Sequence, residues 1–375
     1  MLGEHMLQTL QYAWQNLLHP PYKISSPPIQ PSGLVIPHSG SLWFTLVQSR
    51  QLARKYMFPL TDIDAEDCTK AFANISLKDN TVGNFQPLRF QNMFVKLDEP
   101  YDTERMQMLS DCAFLTESCQ LFDINFNNPE QIEKCLGCEN QCSFEVTCIA
   151  DGYFHAIVAW FQVYLDEDIY LCSAPDDPNA DTCCWDQAVF PCHRAVHVVP
   201  GCKILLSSDW ARGKMTFRAE KITYPDGRSC FMQTEAMKVP SSFVSMLNDT
   251  NLLEHLRIAA LKFLEDFQER EDGLSILDSF PVPVFGLTVL RNLHLVSNRL
   301  KKEGEVTLLC IVESEDAAEL IRKMAEYNGI PGKYLLFISE DDSWQDKLNS
   351  FDAVILNFLD REGDLNEKIM RPEIS

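Results

Sequence analysis

The sequence predicts a multidomain α+β chain, an antiparallel β-barrel followed by the start of a doubly wound α/β domain. Two observations carry this. Between Val35 and Thr223 the apolar residues recur with period two. His155, Ile157, Ala159, Phe161, Val163 and Leu165 line one face of a long strand, with Val158 and Trp160 on the other; Met215, Phe217 and Ala219 alternate with Lys214, Thr216 and Arg218. Successive strand side chains point to opposite faces, so such runs, punctuated by turns at Pro200-Gly201 and Asp226-Gly227, make an antiparallel barrel or sandwich. After Lys238 the pattern changes to short continuous apolar runs alternating with helical spacing. That is the mark of parallel strands covered on both faces.

In chain order, Glu4 to Leu18 is an amphipathic helix with Leu7, Leu10, Trp14 and Leu17 on one stripe. Pro20 and Pro21 stop it, and Pro27, Pro28 and Pro31 make an extended linker. Ser41 to Val47 is a strand, and Phe144, Val146 and Cys148 alternate in another. The polar stretch from Asp62 to Tyr101 interrupts the strands and is an insertion. Leu253, Leu256, Ala260, Phe263 and Phe267 mark a helix. Then come a strand at Leu274 to Leu277, a helix at Phe285 to Leu300 and a strand at Val306 to Val312. A helix at Ala317 to Tyr327 is stopped by Gly329 and Pro331. Tyr334 to Ile338 is a strand, Asp342 to Asn349 a short helix and Ala353 to Leu359 a further strand. The expected organisation is a helix and linker over 1–33, a barrel over 34–238 with an inserted arm near 62–101, a helical linker over 239–272, and a partial α/β domain over 273–375.

The composition, 46% hydrophobic and 23% charged, is that of a globular chain. No apolar run reaches the roughly 18 residues of a membrane span. Gly3, Glu4 and His5 give no basic signal-peptide start. Fourteen cysteines without a signal sequence point to free thiols in a reducing compartment, the cytoplasm or the nucleus. A formal net charge of −22 disfavours nucleic acid and anionic membrane as partners, since both attract clustered Lys and Arg. It suits a basic protein substrate, and it also serves solubility alone.

The order of segments and the residues within them resemble a protein arginine methyltransferase. In that family a Rossmann-like methyltransferase domain precedes a β-barrel that carries an inserted dimerisation arm. Leu2-Gly3-Glu4 and the helix after it look like the end of the family's double-glutamate loop and the helix that follows. Val35-Ile36-Pro37 looks like the barrel entry, and Tyr153 to Leu165 is similar to the family's most recognisable barrel strand. Ser173-Ala174-Pro175 and then Cys184 to Pro191 look like the segment with the substrate loop. Where most members read Thr-His-Trp, this chain has Cys183, Cys184 and Trp185. Loss of the His, together with a second α/β domain after the barrel, points to the family's tandem-module branch.

The resemblance implies methyl transfer from S-adenosylmethionine to the guanidinium of an arginine-containing protein substrate. Two Glu carboxylates would hold the guanidinium through charge-assisted hydrogen bonds, and Glu4 matches one of them. Cys184 and Trp185 would lie beside the guanidinium, Trp offering a cation–π face. The barrel would pack on methyltransferase domains of the same full-length chain. A cofactor of this type needs a Gly-rich turn after the first strand and an acidic residue after the second. Before Glu4 there is no room for either, so the chain reads as a fragment without the first cofactor domain and with no cofactor-binding residue. In the second α/β domain the turn reads Asp278-Ser279-Phe280-Pro281-Val282-Pro283, with prolines where glycines are needed. Glu313 stands at the end of the second strand, and the fourth strand is expected to end at Asn357, where the family would place its first catalytic Glu. The domain reads as catalytically degenerate.

Cys135, Cys138, Cys142 and Cys148 have spacings compatible with zinc, but Cys148 falls in an alternating strand, so free thiols and no metal are expected. His155 among apolar neighbours reads as a core histidine. His193 and His197 flank a turn, with no carboxylate pattern to make them catalytic, and the cysteine and histidine positions compose no hydrolase triad. Two functions remain: part of an arginine methyltransferase, or a non-catalytic binding module of barrel plus pseudo-methyltransferase domain.

Overall fold

The computed structural model describes residues 5–18, 34–57, 86, 88, 95–97, 99–137, 142–166, 168–177, 185–211, 214–232, 237–239, 241–266, 273–293, 306–339 and 350–357. The chain divides into two compact units, Met1–Ala53 with Leu97–Glu235, and Arg54–Lys96 with Ala236–Ser375.

In chain order the elements begin with α1 (Met6–Asn16), β1 (Ser39–Gln48), α2 (Arg50–Tyr56), β2 (Val95–Leu97), β3 (Asp102–Glu104), β4 (Ala113–Phe114), β5 (Cys119–Asn125) and α3 (Pro129–Leu136). The long strands follow: β6 (Cys142–Thr147), β7 (Gly152–Tyr164), β8 (Tyr170–Cys172), β9 (Gln187–Val198), β10 (Lys203–Ala211), β11 (Lys214–Thr223) and β12 (Ser229–Phe231).

The first unit is antiparallel β-barrel. One sheet has the order β3-β9-β7-β1-β4, with β5 also on β1 and β8 on β7; the other runs β12-β11-β10-β6. Aromatic rings join the two sheets. Phe44 of β1 lies 5.2 Å from both Phe144 of β6 and Phe217 of β11, and Phe190 of β9 lies 5.2 Å from Phe217. β7 is the central strand, paired with β1 and β9, and it is buried on both faces over most of its length. The apolar residues that the sequence has on both faces, Ile157, Ala159, Phe161 and Val163 on one and Val158 and Trp160 on the other, are buried because this strand has packing on each side. Leu165 lies just past its end. The turns at Gly201 and Gly227 both need positive φ, 86° in each case, which glycine supplies without steric cost.

The second unit continues with β13 (Met237–Val239), α4 (Ser241–Asn248), α5 (Thr250–Asp266), β14 (Leu274–Asp278), α6 (Val284–Arg291), β15 (Val306–Val312), α7 (Glu315–Tyr327), β16 (Leu335–Ser339) and β17 (Ala353–Ile355). Its parallel sheet has the order β16-β15-β14-β17. Between Lys238 and β14 the sequence signalled one helix, whereas two occur. Asp249 separates them, its carboxylate accepting the backbone N–H of Leu252 at the start of α5. β17 ends at Ile355, not at Asn357, because the Asn357 N–H turns aside to the Ser279 hydroxyl at 2.7 Å. The expected helix at Asp342 to Asn349 lies outside the described residues, as does most of the inserted arm. Within this unit, the Asn292 side chain holds Gln86 of that arm through both its backbone groups, at 2.7 and 3.0 Å.

Candidate functional site

Trp185 stands two residues before β9, just after the undescribed residues 178–184. Its ring meets Phe161 of β7 edge-on, with centroids 5.4 Å apart and planes at 70°, and it is 43% exposed. Phe161 is paired with Leu42 and Val163 with Gly40 across the β1–β7 ladder. Residues two apart on a strand share a face, so Phe161, Val163 and Gly40 face the same way. A Cβ on Gly40 would lie 2.9 Å from the Phe126 ring, so Phe126 covers that face. Trp14 of α1 donates its indole N–H to the Phe126 carbonyl at 2.8 Å, and both Leu7 and Trp14 are buried. Phe126 thus links the two: its ring lies against the face that carries Trp185, and its carbonyl fastens α1. Glu4, immediately before the first described residue of that helix segment, and Cys184 both lie outside the described residues.

Beneath Trp185 is a polar network that the sequence did not signal. The side chain of Gln187 is buried at the first position of β9. Its amide N–H donates to the Ser173 carbonyl at 2.8 Å, and its amide oxygen accepts the Met106 N–H at 2.9 Å. Ser173, fully buried, exchanges bonds with Phe161: its N–H donates to the Phe161 carbonyl at 3.0 Å and its hydroxyl accepts the Phe161 N–H at 3.2 Å. Arg105 and Asp186 form an exposed ion pair at 3.2 Å beside this network. The only hint in the sequence is a glutamine where period two demands an inward residue.

Elsewhere in the first unit, Ser49, His155 and Asp111 come together, the residue types of a hydrolase triad, but the wiring is structural. The Ser49 hydroxyl donates to Asp111 at 2.8 Å and accepts the Leu52 N–H of α2 at 3.2 Å, while His155 Nδ1 accepts the Ser49 backbone N–H at 3.0 Å. A nucleophile would need its hydroxyl on the imidazole. His155 is the core histidine the sequence suggests. His193 and His197 sit within β9 and do not flank a turn; His197 Nε2 lies 3.3 Å from the Asp151 carboxylate, a partner the sequence reading missed. Both groups of that pair are half-exposed, so it is a surface contact.

Of the four cysteines with zinc-like spacing, Cys138 lies outside the described residues. Cys142 is exposed, Cys135 is half-buried, and Cys148 is buried, its thiol pushed up to about 12 by burial and by neighbouring Cys202. A thiol held that firmly protonated is a poor metal ligand or nucleophile.

In the second unit, Asp278 ends β14 with a fully buried carboxyl. It accepts the N–H groups of Phe280 and Gly286, each at 3.1 Å. Burial pushes the carboxyl up to about 7, against the pull of those two N–H bonds. These contacts decide whether a nucleotide-type cofactor fits at this strand–turn–helix. Pro281 and Pro283 have no N–H to offer, the N–H of Gly286 is already used, and a Cβ on Gly286 would lie 2.3 Å from Leu308. The turn is filled by protein and does not fit the group. Glu313 follows β15 directly and is half-buried.

Residues 80–224 match the family model described as the arginine methyltransferase oligomerization subdomain. Over 194 residues the chain is 28% identical to protein arginine N-methyltransferase 9 of Homo sapiens, covering 51% of this chain and 21% of that protein. It is 29% identical to the proteins of the same name from Xenopus laevis and Mus musculus, with the same coverage of this chain. The alignment spans about a fifth of the length of these relatives.

Proposed function

We propose, on the premise that this chain belongs to the protein arginine N-methyltransferase family, that it supplies the substrate side of arginine methylation. The full protein would transfer a methyl group from S-adenosylmethionine to an arginine of a protein substrate. The observation that carries this reading is the half-open Trp185 ring on the sheet face that Phe126 covers, Phe126 being also the residue whose carbonyl fastens α1. The family resemblance puts the guanidinium between Trp185 and the residues ahead of α1. A guanidinium stacked on Trp185 gains cation–π attraction, and Glu4, ahead of α1, would pair with it bidentately and orient one terminal nitrogen. Cys184 would line the same site in place of the His of most members. The high negative charge draws in basic segments before any contact forms. Free thiols suit the cytoplasm or nucleus.

The parallel unit, with its 3-2-1-4 strand order, is read as a second Rossmann-like domain that has lost its cofactor turn. Its filled turn favours a second reading for the chain by itself, a binding module that docks an arginine-rich segment without chemistry.

Titration of the chain with an arginine-containing peptide and with its lysine counterpart tests the shared premise. Preferential binding of the arginine peptide is expected, and equal or no binding would remove the site. The enzyme reading is tested in the protein that carries an upstream cofactor domain. There Glu4→Gln keeps volume but loses charge, and transfer should fall by on the order of a hundredfold or more, with cofactor affinity unchanged. If Glu4→Gln only lowers the melting temperature and the folded protein turns over normally, Glu4 is a helix-end charge.

A further inference from the structure

We propose that Gln187 is the positioning residue of the substrate loop: its side-chain amide ties together the segments on either side of that loop and so sets where Trp185 stands. The proposal rests on the reading above only for the ligand; the placement of Trp185 stands on geometry alone.

The contacts form a closed circuit. Trp185 rests on the Phe161 ring, and the Phe161 backbone is bonded in both directions to Ser173. The Ser173 carbonyl accepts from Gln187, and Gln187 returns to Trp185 through two peptide bonds. The other end of the amide is fixed by the Met106 N–H, from the turn after β3. Gln187 is 1% exposed, so water cannot take over either bond. One side is a carbonyl acceptor and the other an N–H donor, which fixes the amide orientation and requires one donor and one acceptor in a single planar group. Met has the length but neither function. An ionised Glu has no donor and sets a carboxylate oxygen against the Ser173 carbonyl. A protonated Glu has both again: its O–H donates to Ser173 and its C=O accepts from Met106. That last property lets a positioning role be told from mere core filling.

The chain is labelled with 5-fluorotryptophan. Its six tryptophans give separate fluorine signals, and Trp185→Phe assigns the one from Trp185. In Gln187→Met the Trp185 signal should shift or broaden while the other five stay, and affinity for the arginine peptide should fall about tenfold. In Gln187→Glu the same change should appear at about pH 8 and reverse toward about pH 5, the range over which a buried carboxyl titrates. Wild-type protein over the same range controls for the nearby Arg105–Asp186 pair. An unmoved Trp185 signal in Gln187→Met overturns the proposal. If Gln187→Met unfolds, the Gln187→Glu titration decides: a reversible change confined to Trp185 supports the proposal, and all six signals moving together overturns it. If wild type fails to bind the peptide, the functional reading is lost, while the fluorine signals still decide whether Gln187 places Trp185.

Discussion

At the scale of single residues, Trp185 and Asp278 make contrasting demands. Trp185 is half-open and its value lies in what it can touch. Trp185→Ala should weaken arginine-peptide binding about three- to thirtyfold, the span of a partly desolvated cation–π contact, with little loss of melting temperature. Calorimetric titration and a thermal melt check both halves. Asp278 is closed in and its value lies in the fold. Its folded pKa of about 7 exceeds the unfolded value near 4, so the carboxyl binds its proton more tightly in the folded state. The associated stability is fully present below about pH 4 and is lost as pH rises through about 7, an effect of order 4 kcal/mol. Hydrogen exchange of the β14 and β15 amides at about pH 5 and about pH 8 should show protection falling with pH in wild type and flattened in Asp278→Asn. Equal pH dependence in both proteins would place the titrating group elsewhere.

At the scale of elements, the decisive feature is how closely α6 approaches β15. Gly286 lies on the fully buried helix against Leu308, which is itself fully buried in its strand and has nowhere to retreat. Gly286→Ala should therefore destabilise the second unit by about 1–3 kcal/mol, even though alanine is the better helix former. Denaturant unfolding read by exchange at β14 checks this, and an unchanged midpoint would mean that the helix can shift outward freely. In the first unit, a buried indole bond, Trp14 to Phe126, helps to fasten α1. Trp14→Phe should cost about 1 kcal/mol and loosen that helix while the barrel strands stay protected.

For the whole molecule, the prediction concerns the cofactor. The acidic chain carries a barrel and an α/β unit whose first turn is occupied by its own residues. Calorimetry of the purified chain with S-adenosylmethionine should show no low-micromolar, stoichiometric binding. A clear isotherm of that strength would show that the Pro281 to Gly286 turn opens to admit the group.

The sequence by itself determined the period-two barrel strands, the switch to buried parallel strands after Lys238, and the glycine turns at Gly201 and Gly227. These are local properties, written in side-chain alternation and in φ preferences that a chain carries wherever it goes. It could not show that Asp278 would fold back on Gly286, or that Gln187 would bond Ser173 and Met106, 14 and 81 residues away. Such contacts depend on which segments meet. A buried polar group takes whatever partner the fold brings within reach, because leaving it unpaired costs more than any local preference gains. Only the tertiary structure decided which glutamine became a clamp and which aspartate became a plug.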